Sequence, residues 1–280
     1  KNTDSQNNMK IAFFGSPHLC LSFLEKMKEE SFCPSLVITN PDKPVGRKQT
    51  ITPTPVKKWA EENKIEVLTP EKITAEFISE FKEKDIDLSV VIAYGKILPE
   101  ELINAPKYGT INVHFSLLPR HRGATPVEAT ILSGDTETGV AIQQMVFELD
   151  AGDVLSEEKI EIKNDDTKES LFNSLSEIGS SLLIQTIKNI SEGKSEKKPQ
   201  DNTLATFSKR IKKSDGEITD ADTEEMMWRK YRAYTPWPRT FFFKNGKRFV
   251  ITEATFENSK FEIKKVIPEG GKEIPYSENL

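Results

Sequence analysis

Short apolar runs alternate with segments of helical periodicity along the first half of the chain. The apolar runs predict strands at 9–16, 35–40, 65–69, 87–95 and 109–115. Apolar residues spaced by three or four predict helices at 17–30, 56–63, 74–84 and 99–105. Strands that alternate with helices form βαβ units. The pattern therefore predicts a Rossmann-like α/β fold, a mostly parallel sheet with helices on both faces.

The second half of the chain changes character after a polar stretch. Before it, the pattern predicts a helix at 126–133, strands at 139–149 and 152–162, and a helix at 167–192. Beyond it come a helix at 223–234, a hairpin at 241–257 around Asn245-Gly246, and a strand at 261–267. We therefore predict a flexible tail, a large first domain, a linker and a small β-rich domain, at 1–8, 9–193, 194–206 and 207–280.

The composition is that of a water-soluble globular protein, with 36% hydrophobic and 30% charged residues. No apolar stretch reaches the roughly 20 residues that span a bilayer. The polar segment 1–8 lacks the apolar core of a signal peptide, and we take Met9 as a candidate start. Cys20 and Cys33 form no metal or redox motif. We expect a cytoplasmic protein with reduced thiols, a monomer that does not bind membranes.

Charge is distributed unevenly, although the net charge is only −5. Residues 205–280 carry 15 Lys and Arg against 12 Asp and Glu, whereas the rest of the chain is acidic. A mildly basic C-terminal part is a weak indication of a polyanionic partner. Chance scatter of solvated charge explains it equally well.

Two polar residues interrupt the apolar strand at 109–115. Asn112 and His114 are two residues apart, so their side chains point to the same face, near the carboxyl end of the strand. An amide can donate a hydrogen bond to a developing oxyanion, and an imidazole can donate or move a proton. Asp150 and Asp153, in the following Leu-Asp-Ala-Gly-Asp turn, could orient the histidine. A hydrogen-bonded network in the core is the commoner reason for such a pair.

Other catalytic motifs are missing from the sequence. There is no Gly-x-Ser-x-Gly elbow and no Cys/His cluster for zinc. The turn after the first strand, at 14–20, lacks the Gly-x-Gly-x-x-Gly spacing of a dinucleotide site. Any chemistry would then be direct attack by a nucleophile of a substrate, without a covalent enzyme intermediate, and we expect no metal.

Several motifs together resemble the formyltransferases that use 10-formyltetrahydrofolate. They are INVHFSLLPRHRGATPV, DTETGVAIQQM, ELDAGD, NPDKPVGRK and RKYRAYTPWPRTFF, and the resemblance covers nearly the whole chain from Met9. The chain is most similar to the branch of the family that formylates initiator methionyl-tRNA. The resemblance implies folate as co-substrate, tRNA as partner and a small OB-like β-barrel at the C-terminus.

The resemblance also implies roles for individual residues. It implies that Asn112, His114 and Asp150 are catalytic, that Asn112 and a protonated His114 donate to the oxyanion, and that Asp150 keeps His114 charged. Residues implied to line the folate site are Ser116, Leu117, Leu118 and Pro119. Residues of the proline-rich loop at 41–55 implied to contact tRNA are Lys43, Arg47 and Lys48, with Arg47 as the main contact.

The sequence departs from this family in two places. Phe115 stands where the family usually has Gly, and the C-terminal barrel is shortened. Two kinds of alternative stay open at this point. One is another enzyme with the same Asn, His and Asp, such as glycinamide ribonucleotide formyltransferase, formyltetrahydrofolate hydrolase or a sugar-amine formyltransferase. The other is a tRNA- or folate-binding protein without turnover.

Overall fold

The computed structural model describes residues 9–46 and 49–277 of the 280-residue chain. The predicted tail at 1–8 lies outside the described residues. The strands within them are β1 (Ile11–Gly15), β2 (Leu36–Ile38), β3 (Lys43–Val45), β4 (Thr50–Thr52), β5 (Glu66–Leu68), β6 (Leu88–Ile92), β7 (Thr110–His114), β8 (Arg122–Gly123), β9 (Glu137–Gln144), β10 (Val154–Glu161), β11 (Phe207–Ser208), β12 (Phe241–Lys244), β13 (Lys247–Glu257), β14 (Lys260–Pro268) and β15 (Ile274–Pro275).

Helices connect most of these strands. The α-helices within the described residues are α1 (Cys20–Glu29), α2 (Pro55–Glu62), α3 (Ala75–Glu83), α4 (Glu100–Ile103), α5 (Pro126–Ser133), α6 (Lys168–Ser191) and α7 (Glu224–Tyr234). Several begin at the side-chain caps that their sequences suggest. Thr54, Thr74 and Thr223 each accept a backbone N–H from the first turn of α2, α3 and α7.

A seven-stranded sheet in the order β10-β9-β7-β6-β1-β2-β5 forms the centre of the first part of the chain. Strands β5, β2, β1, β6 and β7 are parallel, and β9 runs antiparallel to β7. This confirms the mostly parallel sheet predicted from the sequence. The carboxyl ends of the parallel strands share one edge, and β7 ends there with His114.

Alternating side chains of the central strands are buried on both faces of this sheet. Ala12 and Phe14 of β1 share one cluster with Phe77 and Phe81 of α3. Phe13 is equally buried on the other face, because successive strand residues point in opposite directions. The near-continuous apolar runs of the sequence follow from this burial on both sides.

Only the first part of the apolar run at 139–149 forms the strand predicted there. β9 ends at Gln144, and the following residues lead into the turn at Asp150. Val146, Phe147 and Leu149 are 45, 64 and 59% exposed. These apolar side chains therefore lie on the surface next to the turn, and the run does not reflect burial in a strand.

The chain groups into two compact units whose limits differ from the predicted boundaries. One contains 1–122, 139–159 and 173–206, and the other contains 123–138, 160–172 and 207–280. The segment predicted as a linker belongs to the first unit. It forms a β-bridge between Lys198 and Val154, so its polar composition did not signal a free connection.

The second unit combines helices α5 and α7 with an antiparallel sheet in the order β12-β13-β14-β15. The predicted Asn245-Gly246 turn is confirmed, with φ of 52° and 72° at its two residues. Phe249, Ile251 and Val266 form the centre of its apolar cluster. In the described part of the chain, the hydrogen-bonded order is that of an open four-stranded sheet.

Candidate active site

Asn112 lies on β7 between two hydrogen-bond partners that fix its side-chain amide. Its Nδ2 donates to Val91 O on β6 at 3.1 Å. Gln143, directly opposite on β9, donates from Nε2 to Asn112 Oδ1 at 3.4 Å. One N–H of Nδ2 is left to donate to an incoming group.

His114 lies two residues further on, 5% exposed, at the end of β7. Its Nε2 is 3.0 Å from the carbonyl oxygen of His121. Because a carbonyl only accepts, Nε2 carries the proton, and the lone pair of a neutral ring is on Nδ1. Nδ1 is 3.7 Å from Asp150 Oδ2, so the structure brings the three predicted catalytic residues together.

Burial lowers the pKa of His114 below its ordinary value of 6.5. The carboxylate of Asp150 and the His121 carbonyl act in the opposite direction, while His121 and Arg122 add to the lowering. The loss of solvation outweighs the attraction to Asp150, so burial favours the neutral ring, whereas the expectation from the sequence was a protonated His114.

Asp150 sits in a tight turn with a left-handed backbone, φ 49°. Gln143 Nε2 donates to its Oδ1 at 2.8 Å. A Cβ built on Gly152 would lie 1.7 Å from Gln144 O, so only glycine fits where the turn crosses β9. Asp153 contributes its backbone carbonyl, which accepts from Gln144 N at 2.9 Å.

A second glutamine, Gln200, holds the same turn through hydrogen bonds to its backbone, and we call this set of contacts the brace. Gln200 Nε2 donates to Asp150 O at 2.9 Å and to Gly152 O at 2.6 Å. Its Oε1 accepts from Arg122, at 3.1 Å from Nε and 2.7 Å from Nη2. Arg122 is 1% exposed and directly follows His121, whose carbonyl holds His114. The brace thus connects the two segments that hold the catalytic imidazole and carboxylate.

Sequence reasoning missed Gln143, Gln200 and Arg122. Gln143 could have been found from strand pairing, because it faces Asn112 on the neighbouring strand. Gln200 lies 50 residues beyond Asp150, in the segment predicted as a linker. No local pattern indicates that contact.

The predicted folate segment follows β7 directly. Ser116 is fully buried, and its hydroxyl donates to Arg120 O at 2.7 Å. Leu118 packs with Ala141 and Val154. Leu117 and Pro119 are partly exposed. Leu117 and Pro119 are therefore the two accessible residues of the segment that follows His114.

Phe115 is turned away from the reacting groups. Its ring packs edge-on against Phe23 of α1, with centroids 6.1 Å apart and an interplanar angle of 82°. Its bulk fills the core under the strand and is 5% exposed. The replacement of the family's usual glycine is thus accommodated by α1.

The proline-rich loop contains a short antiparallel pair, β3 with β4. Lys43 is exposed at its start, and Asp42 beside it binds Lys57 of α2 at 2.9 Å. Arg47 and Lys48 lie outside the described residues. An open cavity of about 820 Å³ lies below the loop, with Ser16, Asn40 and Trp59 among its lining residues.

Two absences apply to the described ranges 9–46 and 49–277. No group of three His, Cys, Asp or Glu residues there could hold a metal ion. No helix in the same ranges is long and apolar enough to cross a membrane.

Comparisons with known proteins identify the family of this chain. The family model "Formyl transferase" matches residues 9–187, and "Formyl transferase, C-terminal domain" matches 210–278. The chain is 46% identical over 235 residues to the methionyl-tRNA formyltransferase of Sulfurihydrogenibium sp., covering 83% of this chain and 76% of the relative. It is 42% identical to that of Halalkalibacterium halodurans, covering 87% and 77%.

Solved structures share the fold. An N-formyltransferase from Helicobacter canadensis, in complex with folinic acid and dTDP-3-aminofucose, superposes with a TM-score of 0.68 at 22% identity, covering 89% of each chain. Phosphoribosylglycinamide formyltransferase from Bacillus halodurans gives 0.55 at 22%, covering 65% of this chain and 94% of that one. The chain belongs to the formyltransferase family and, within it, to the methionyl-tRNA formyltransferases.

Proposed function

We propose that Asn112, His114 and Asp150 transfer the formyl group of 10-formyltetrahydrofolate to the α-amine of initiator methionyl-tRNA. The observation that supports this most strongly is the convergence of an amide N–H, a neutral imidazole and a carboxylate at the end of β7. The products are N-formylmethionyl-tRNA and tetrahydrofolate. We expect the protein to act as a monomer in the cytoplasm, where charged tRNA enters translation.

The nucleophile is the neutral α-amine, which titrates near pH 8 and is available at little cost. Its nitrogen attacks the formyl carbon, a C–N bond forms, and the carbonyl oxygen becomes an oxyanion. The second N–H of Asn112, which has no partner among the described residues, donates to this oxygen. Removing one such donor costs roughly 100- to 1000-fold in rate.

The attacking nitrogen must then lose a proton. The lone pair of His114 Nδ1 can accept it, and Asp150 at 3.7 Å stabilises the imidazolium that forms. Collapse of the intermediate breaks the bond between the formyl carbon and N10, and the proton held by His114 passes to N10, directly or through water, which returns the ring to its neutral form. His114 thus begins neutral and becomes charged only during the reaction, which agrees with its lowered pKa.

Folate and tRNA binding are assigned to two different segments. Residues 116–119 would hold the folate beside His114. Lys43, Arg47 and Lys48 would contact tRNA phosphates, and such binding should weaken as salt increases. The exposed apolar residues Val146, Phe147 and Leu149, just before Asp150, would cover part of the folate.

The test is a formylation assay with purified protein and charged initiator and elongator methionine tRNAs. We expect turnover with initiator tRNA, and a loss of about 100-fold or more in Asn112→Ala and His114→Ala. Circular dichroism melts of both variants control for folding. Near wild-type turnover in either folded variant contradicts the role given to that residue.

Two outcomes would favour another function. Formylation of an amino sugar or of glycinamide ribonucleotide, but not of tRNA, would indicate another member of the superfamily. Binding of folate and tRNA without product would indicate a binding protein.

A further inference from the structure

We infer that Gln143 is a positioning residue of the formyl-transfer site, which sets the direction in which Asn112 and Asp150 present their polar groups. The inference rests on the proposed function and adds a residue to it. In this proposal, Gln143 does not itself contact a reacting atom. It acts through the two residues that it joins.

The geometry starts from strand pairing. Gln143 on β9 is the register partner of Asn112 on β7, and its side chain is 1% exposed. Its Nε2 lies 2.8 Å from Asp150 Oδ1 and 3.4 Å from Asn112 Oδ1. An amide nitrogen has two N–H groups, so one nitrogen serves both acceptors.

For Asn112, this contact decides which end of the amide faces the substrate. With Oδ1 on Gln143 and Nδ2 on Val91 O, the remaining N–H is available as an oxyanion donor. If the Asn112 amide were reversed, Oδ1 would face the carbonyl oxygen of Val91. The same Oδ1, instead of an N–H, would then face the oxyanion and repel it. The donor on Gln143 makes the productive orientation the stable one.

For Asp150, the contact fixes which oxygen faces His114. Gln143 holds Oδ1, and Oδ2 is the oxygen 3.7 Å from His114 Nδ1. Loss of this donor removes one of the contacts that restrain rotation of the carboxylate about its last bond. The oxygen that stabilises the imidazolium would then be held less well.

The Oε1 atom of Gln143 indicates that the side chain does more than fill space in the core. Its Oε1 is buried and has no hydrogen-bond partner among the described residues. A buried unsatisfied acceptor destabilises the fold, and a methionine of similar size would avoid that cost. The donor Nε2 is what a glutamine supplies here and a methionine would not.

Gln143→Met and Gln143→Glu test this, with Gln144→Glu as the matched control on the same strand. Gln144 Nε2 donates to Thr110 O and touches neither Asn112 nor Asp150. We expect Gln143→Met to lower kcat about 10- to 100-fold, since small misplacements of catalytic groups are this costly. KM for folate and tRNA should change less than about threefold.

The Gln143→Glu variant gives a readout that loss of packing would not. The ionisable groups around this position are Asp150 and His114, with His121 and Arg122 behind the histidine. When ionised, the introduced carboxylate would repel Asp150 and donate nothing. Proximity to Asp150 raises the pKa of the introduced carboxyl group, and once protonated this group can donate its O–H to Oδ1. The activity of the variant relative to wild type should therefore rise about tenfold from pH 8 to pH 6.

A wild-type kcat in Gln143→Met, or a pH profile of Gln143→Glu parallel to those of wild type and Gln144→Glu, would overturn the inference. A crystal structure of Gln143→Met decides it separately from activity. We expect the Asp150 carboxylate or the Asn112 amide to be rotated. Unmoved groups would overturn the inference even if the wild-type protein formylated no tRNA, a result that would instead count against the proposed function.

Discussion

Gln200→Met is the most direct perturbation of the turn that carries Asp150. Methionine matches glutamine in length but can neither donate nor accept strongly. The change removes two donations to the carbonyls of Asp150 and Gly152 and the acceptor for two N–H groups of Arg122. It tests whether the brace sets both stability and catalytic geometry.

The expected loss can be estimated from these contacts. A hydrogen bond to a charged donor contributes about 1.5–3 kcal/mol, and a neutral one about 0.5–1.5 kcal/mol. Gln200 is only partly buried, so water replaces some of this. We expect the free energy of unfolding to fall by about 2–4 kcal/mol. The kcat should fall about 10- to 100-fold, because Asp150 is less well held.

Urea unfolding and formylation kinetics measure the two effects. Gln185→Met is the matched control, because Gln185 lies on the exposed side of α6 and its amide donates to Asn189 of the same helix. The control should stay within about 0.5 kcal/mol of wild type. A Gln200→Met protein as stable and active as the control would refute the reasoning.

Three further predictions follow from the site. Asp150→Asn should reduce turnover more than Asp153→Asn, because only Asp150 directs its carboxylate to His114; equal losses in steady-state kinetics would contradict the assignment. Arg47→Ala should spare folate binding and lower the salt slope of tRNA binding by about one, and an unchanged slope, affinity and choice of tRNA would exclude the contact. The unfolded chain binds a proton at His114 near pH 6.5, above the folded pKa, so stability should fall as pH drops through this window. His114→Gln should show a shallower fall in urea unfolding, and identical slopes would contradict it.

Local patterns were sufficient to predict much of the fold. The buried strands β1, β6 and β7 are short apolar runs, and the turn at Asn245-Gly246 has the residues that its positive φ angles favour. The same logic failed at 145–149, because a run of apolar residues has the same appearance whether a strand buries it or a surface displays it. A short apolar run alone therefore does not distinguish a buried strand from an exposed loop.

Part of the candidate site could likewise be predicted from local sequence patterns, and part could not. Asn112 and His114 were predictable because strand geometry puts residues i and i+2 on one face. The neutral state of His114 was not, because it depends on how completely the folded chain removes water from the ring. Arg122 and Gln200 lie 78 residues apart, and only the tertiary fold brings them together.

The C-terminal unit is assembled from three separate stretches of chain, and this limits how the protein can be divided. Trp228 and Arg232 of α7 donate to the carbonyls of Asn164 and Asp166 at 3.0 and 2.9 Å. Lys168 lies 3.4 Å from Glu128 in the same unit. A fragment cut at residue 207 would leave these partners behind, and a chimera that exchanged only the C-terminal residues would join mismatched surfaces. An exchange between relatives must therefore carry 123–138 and 160–172 together with the C-terminal stretch.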